Sequence, residues 1–141
     1  MGNRVVVTGL GCMTPLGNDV SSSWEACING QSGIDRITHF DPELFRCQIA
    51  GEVKKFQLPE IIPIKEAKKM DLFIQYSIGA TQEALNDSGL EITEDIEEEV
   101  GVSMGVGIGG LGCIERYSKI IEEHGPKRVS PFFIPMPLSN L

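Results

Sequence analysis

Long apolar runs are absent from this sequence: the longest, such as Val5 to Val7 and Phe132 to Ile134, are far shorter than the roughly 20 residues a helix needs to cross a bilayer. No membrane span is expected. Positive charge is scarce, with 12 Lys and Arg against 20 Asp and Glu and a formal net charge of -8. That balance argues against bulk electrostatic binding to nucleic acid or to anionic membranes, both of which call for a basic face. Histidine is rarer still, at 2 residues. Cys12, Cys27, Cys47 and Cys113 include no Cys-x-x-Cys pair and have no histidine at metal-ligand spacing, so no metal site is expected. They read as small buried hydrophobes in a reducing compartment. Met1 is followed by Gly2, Asn3 and Arg4 and then at once by a strand-like run. No secretory leader or Arg-rich transit peptide is legible there, and a bacterial-type cytoplasm is the expected setting.

What is present is an ordinary globular composition, 41% hydrophobic and 23% charged, in 141 residues. Chains of about 150 residues bury roughly 70% of their unfolded surface, so one domain over residues 1–141 is expected. Acidic residues crowd into Glu91, Glu94, Asp95, Glu97, Glu98 and Glu99, which read as a solvated connector between a helix and a strand. The remaining surface is therefore less acidic than the total.

Arg4 to Leu10 is rich in β-branched residues and alternates poorly, the pattern of a strand buried on both faces of an α/β sheet. Beyond the breakers Gly9, Gly11, Pro15 and Gly17, the cap residues Asp19 and Ser21 to Ser23 predict a short helix. It carries Trp24, Cys27 and Ile28 on one side and ends at Asn29-Gly30. Ser32 to Pro63 is mixed, with a short strand near Gln48 to Val53 and loops at Asp41-Pro42 and Pro59; it reads as an excursion over the domain edge. Ile64 to Asn86 has the strongest helical pattern, with Met70, Phe73, Ile74, Ile78, Thr81 and Leu85 at three- and four-residue spacing before Asp87-Ser88-Gly89. Asp71 is placed to cap a second segment within it. Val100 to Val106 predicts a second buried strand, Gly105 to Gly112 a glycine-rich turn, and Cys113 to His124 a helix carrying Ile114, Tyr117, Ile120 and Ile121. Strand, helix, strand and helix in that order argue for an α/β fold. Gly125 to Leu141 completes no further unit, whereas an open parallel sheet wants more strands to cover its edges.

Gly105-Val106-Gly107-Ile108-Gly109-Gly110 satisfies G-x-G-x-x-G after a predicted strand and before a predicted helix, the setting of a dinucleotide-binding turn. That fingerprint also requires an acidic residue at the end of the next strand. Here Ser130-Pro131-Phe132-Phe133-Ile134-Pro135 follows, and its prolines suit no central strand. The alternative is a glycine turn lining some other site. His39 sits in a Thr-His-Phe-Asp loop, and His124 in a Glu-Glu-His-Gly helix end that the helix dipole explains. Cys113, near the start of a predicted helix, is the only cysteine with a physical argument for a nucleophile, and the helical pattern does not turn it toward a cleft. No catalytic residue is assigned. Lys65, Lys68 and Lys69 lie at i, i+3 and i+4 on one helix face, and Lys127-Arg128 form a second basic pair. These read either as solvated surface or as a docking patch for an acidic partner steered in by charge.

Arg4-Val5-Val6-Val7-Thr8-Gly9-Leu10-Gly11, followed by Thr14-Pro15-Leu16-Gly17-Asn18, resembles the opening of the elongating β-ketoacyl-[acyl carrier protein] synthases, members of the thiolase-like superfamily. Further blocks agree in the right order: Gly30-Gln31-Ser32-Gly33-Ile34, Lys68-Lys69-Met70-Asp71-Leu72-Phe73-Ile74-Gln75-Tyr76, Asp87-Ser88-Gly89-Leu90, Gly107-Ile108-Gly109-Gly110-Leu111 and Ser130-Pro131-Phe132-Phe133. They look most like the type II synthases of bacterial fatty acid synthesis. The likeness runs from residue 4 to about 135, and Met136 to Leu141 match it less well.

The resemblance implies the N-terminal part of a thiolase-like α/β fold, with an incomplete mixed sheet and flanking helices. It implies a homodimeric acyltransferase that takes an acyl chain from acyl carrier protein onto a cysteine and joins it to malonyl-carrier protein with loss of carbon dioxide. In the family that cysteine lies in a Thr-Ala-Cys motif at the start of a buried helix, with two histidines in His-Gly-Thr and Gly-His-Asn motifs. None of these occurs here, so this stretch is expected to stop short of the catalytic residues and to be inactive alone. By the same resemblance, Ile108 gates the acyl pocket, Phe133 reaches a pocket from the neighbouring subunit, and Gly107, Gly109 and Gly110 let backbone approach closely. Lys65, Lys68, Lys69, Lys127 and Arg128 match positions that dock the acidic carrier protein. No cofactor is implied. The alternative is a non-catalytic piece that binds a carrier protein or a synthase subunit.

Overall fold

The computed structural model describes Gly2 and residues 4–138. Met1, Asn3 and Ser139 to Leu141 lie outside the described residues, and with them the ends of the expected 1–141 domain and the last positions of weaker family likeness. In chain order the elements are α1 (Val20–Ile28), β1 (Ile34–Arg36), β2 (Ile49–Gly51), α2 (Ile64–Ala67), α3 (Leu72–Ser88) and α4 (Leu111–His124). Single 3₁₀ turns occupy Glu97–Glu99, Pro126–Arg128 and Pro131–Phe133. The chain forms two compact units, one from residues 1–57 and 78–91 and the other from residues 58–77 and 92–141.

In the first unit, α1 begins where the sequence places it, because the Asp19 carboxylate accepts the Ser22 N–H at 2.7 Å. It ends at Asn29, and Gly30 turns the chain away with a φ of 66°. Its expected apolar side is not the buried one. Ser23 and Ala26 are buried, whereas Trp24 is 64% and Ile28 65% exposed. The reason is a polar knot: the Ser23 hydroxyl lies 2.9 Å from Thr14 Oγ1 and donates to the Gly17 carbonyl at 3.1 Å. Gly17 is pressed so closely onto Ser22 and Ser23 that the facing side of the helix admits only small residues.

Arg4 to Leu10 forms no ladder, and Val5 and Val7 are 90% and 79% exposed. A strand exists by pairing with a neighbour, and among the described residues the only sheet is the antiparallel pair β1–β2, with Ile34 opposite Gly51 and Arg36 opposite Ile49. The chain after Val7 is held instead by the second half of α3. Leu10 N–H donates to Asp87 Oδ2 at 2.9 Å, and Cys12 and Val20 N–H groups share the Glu83 carboxylate at 2.9 and 2.8 Å. Gly9 and Gly11 allow this approach, since a Cβ at either would meet α3 backbone at Ala84 or Ala80.

In the second unit the long predicted helix is broken into α2 and α3. Asp71 stands at the start of the second segment, its backbone carbonyl accepting the Ile74 and Gln75 N–H groups at 3.1 and 3.3 Å while its carboxylate accepts the adjacent Leu72 N–H at 2.6 Å. Buried Gln75 staples the break by donating to the Ala67 and Met70 carbonyls, both at 3.1 Å. Val100 to Val106 also lacks a ladder, and Val102 is 81% exposed. The acidic stretch Glu91 to Glu99 is solvated as expected, except for half-buried Ile96. The core of this unit is Cys113, Tyr117 and Met136, with Ile120, Val129 and Phe133 packed against them; Ile114 and Ile121 of α4 stay exposed. Of the cysteines expected to be buried only Cys113 is, since Cys27 and Cys47 are exposed and Cys12 is half-buried.

Candidate functional site

Nearly all the residues singled out from the sequence lie in the second unit. The glycine turn leads into α4 through Gly110, whose φ of 66° lies in the left-handed region that favours glycine. A Cβ on Gly110 would run into Pro137, and one on Gly109 would stand 2.9 Å from the Phe73 ring. Gly107, by contrast, faces open space. Ile108 is 76% exposed. Phe133 stands in the 3₁₀ turn Pro131–Phe133, opened by the Ser130 hydroxyl accepting the Phe132 N–H at 3.1 Å, and its ring packs on Tyr117 at 4.7 Å between centroids. Ile108 and Phe133 do not line a common cavity among those described below.

Lys65 lies in α2, Lys68 at its C-cap and Lys69 just beyond it, and the three lysines are not equivalent. Lys65 and Lys68 are exposed and have no ion pair among the described residues. Lys69 is 35% exposed, pairs with Glu66 at 2.7 Å and lies 4.8 Å above the Phe132 ring. Lys127 and Arg128 stand exposed in the 3₁₀ turn after α4, and Arg128 shares a surface groove with Ile120 and His124.

Two cavities border the α2–α3 junction. The larger, about 520 Å³, is lined by Lys68, Asp71, Cys113, Arg116 and Met136 among others. The second, about 390 Å³, is more apolar and is walled by Met70, Ile74, Phe132 and Leu138, with Lys69 and Glu66 at its edge. Cys113, which the helical pattern did not turn toward a cleft, therefore does line one. It is buried, and its thiol lies 3.9 Å from the Met136 sulfur. No histidine accompanies it: His124 pairs with Glu123 at 3.8 Å, and His39 pairs with Glu52 in the other unit. The general base that commonly activates a nucleophilic thiol is therefore not a histidine here among the described residues. They contain no group of three or more metal-ligating side chains either.

Sequence reasoning missed Arg116. It joins Lys68 on the wall of the larger cavity and holds its guanidinium carbon 5.1 Å from the centre of the Tyr117 ring. The available signal was its position three residues after Cys113, which puts both on one side of α4.

The family model described as beta-ketoacyl synthase, N-terminal domain, matches residues 2–141. The sequence is 54% identical over 138 residues to the 3-oxoacyl-[acyl-carrier-protein] synthase 2 of Vibrio harveyi, covering 98% of this chain and 33% of that protein. It is 45% identical over the same length to the enzyme of that name from Staphylococcus aureus strain COL, with the same coverage. The chain thus spans about a third of the length of the curated relatives it matches. Among solved structures, a beta-ketoacyl synthase from Burkholderia phymatum STM815 is similar with a TM-score of 0.73 at 25% identity, over 96% of this chain and 34% of that one. A ketosynthase solved in complex with its type II polyketide acyl-carrier protein gives 0.74 at 26% identity, over 97% and 35%.

Proposed function

Because the chain belongs to the β-ketoacyl synthase family through its N-terminal domain, we propose that it is the N-terminal part of an elongating 3-oxoacyl-[acyl carrier protein] synthase of fatty acid biosynthesis. In the whole enzyme an acyl group passes from the carrier-protein thiol to an enzyme cysteine thiol. The malonyl carboxylate then leaves as carbon dioxide, the electron pair of the broken bond attacks the acyl carbonyl, and the cysteine thiolate departs. These 141 residues contribute binding rather than chemistry. Gly107, Ile108, Gly109 and Phe133 belong to the acyl pocket, which closes in a cytoplasmic homodimer. Lys65, Lys68, Lys69, Lys127 and Arg128 dock the carrier protein.

The observation that supports this reading best is a set of exposed basic residues on an acidic chain that aligns along 98% of its length with carrier-protein synthases. The test is to incubate the full-length protein with acyl- and malonyl-carrier protein and measure carbon dioxide and β-ketoacyl-carrier protein. Equimolar products from the full-length protein, and none from residues 1–141 alone, are expected. Carrier binding with no condensation by the full-length protein would select the second reading, a non-catalytic carrier- or synthase-binding protein.

A further inference from the structure

The larger cavity joins one docking position named so far, Lys68, to a second cation outside them. Lys68, at the C-terminal end of α2, and Arg116, one turn into α4, both face it. Arg116 is an exposed side chain held by two soft contacts, the Tyr117 ring and the Met136 sulfur 3.9 Å from Nη2. Neither contact neutralises it. The adjacent Glu115 is taken up by Lys119 at 2.7 Å. Among the described residues the one carboxylate on the cavity wall is Asp71, which accepts the Leu72 N–H. Two cations against a single hydrogen-bonded carboxylate reverse the local sign on a chain whose net charge is -8. A guanidinium presents a planar N–H fork suited to a carboxylate. A volume of about 520 Å³ leaves room for a whole acidic side chain.

Resting on the reading of this chain as a carrier-docking synthase, we propose that Lys68 and Arg116 form a pocket that takes a carboxylate side chain of the acidic carrier protein, with Arg116 a docking residue in its own right. The mouth supplies a paired charge, and the Arg116 fork fixes the orientation of the incoming group.

The experiment measures carrier-protein binding by the full-length protein in parallel with its Arg116→Glu, Arg116→Lys, Lys68→Glu and Lys119→Glu variants, at low and physiological ionic strength. Arg116→Glu is expected to weaken binding at least about tenfold, the scale of a lost charge-assisted hydrogen bond. Arg116→Lys should recover part of that, and Lys119→Glu, which alters charge on α4 outside the cavity, should leave affinity near the parent value. The double variant Lys68→Glu/Arg116→Glu, measured alongside them, should lose less affinity than the two single effects added together, as for residues gripping one group. If Lys68→Glu weakens binding while Arg116→Glu binds like the parent, the pocket is refuted and the docking reading survives. If the parent protein binds no carrier even at low salt, both fall.

Discussion

Gly110 and Gly112 stand one residue apart and should respond oppositely to a methyl group. Gly110 has a left-handed backbone and its Cβ would overlap Pro137, whereas Gly112 lies inside α4 with nothing within 4 Å. Gly110→Ala should therefore destabilise the protein by about 1–2 kcal/mol from the backbone conformation alone, and more from the overlap. Gly112→Ala should stabilise it by about 1 kcal/mol through helix propensity. Urea unfolding followed by far-ultraviolet circular dichroism tests the pair, and equal shifts would contradict the assignment. Such differences between glycines are not legible in the sequence, where both belong to one glycine-rich run. The spacing of Lys65, Lys68 and Lys69 was legible because it is local. The company Lys68 keeps was not, since Arg116 comes from a distant part of the chain.

At the scale of elements, α1 depends on a cap that titrates. The Ser22 amide lowers the Asp19 carboxyl below its ordinary 3.8. A carboxyl lowered on folding contributes stability that is complete above its unfolded pKa and lost as pH falls through the folded one. The start of α1 should therefore fray below about pH 4, read through Trp24 emission, since Trp24 sits on this helix. Asp19→Asn keeps a capping oxygen and should flatten that acid response. If the variant shows the parent's profile, the cap is not what titrates. The break between α2 and α3 depends on an uncharged group. Gln75→Leu would leave the Ala67 and Met70 carbonyls without their donor, at a cost of about 1–3 kcal/mol, and amide exchange in α2 should accelerate. Exchange unchanged from the parent would show that the staple is dispensable. The helices were legible because caps and three- to four-residue spacing are written in consecutive residues. The strands at Arg4 to Leu10 and Val100 to Val106 were not realised because β-branched composition supplies propensity, while a ladder requires a second backbone.

For the molecule as a whole, unpaired β-branched backbone is the main liability. Val5, Val6, Val7 and Val102 are 90%, 62%, 79% and 81% exposed, and exposed apolar runs with unpaired edges invite association. Residues 1–141 alone should self-associate at micromolar concentration, and Val6→Lys should shift sedimentation toward the single chain. A parent chain that sediments as one copy would refute this. The ordered blocks of family sequence, the helix caps and the two basic groups were determined by the sequence alone, because each is carried by neighbouring residues. Tertiary structure alone decided that α1 buries Ser23 and Ala26 rather than Trp24 and Ile28, that Gly110 rather than Gly107 is locked by packing, and that Arg116 faces the same cavity as Lys68. Each of those outcomes depends on which remote segments meet, and backbone proximity, not local pattern, sets the space and charge that a side chain finds.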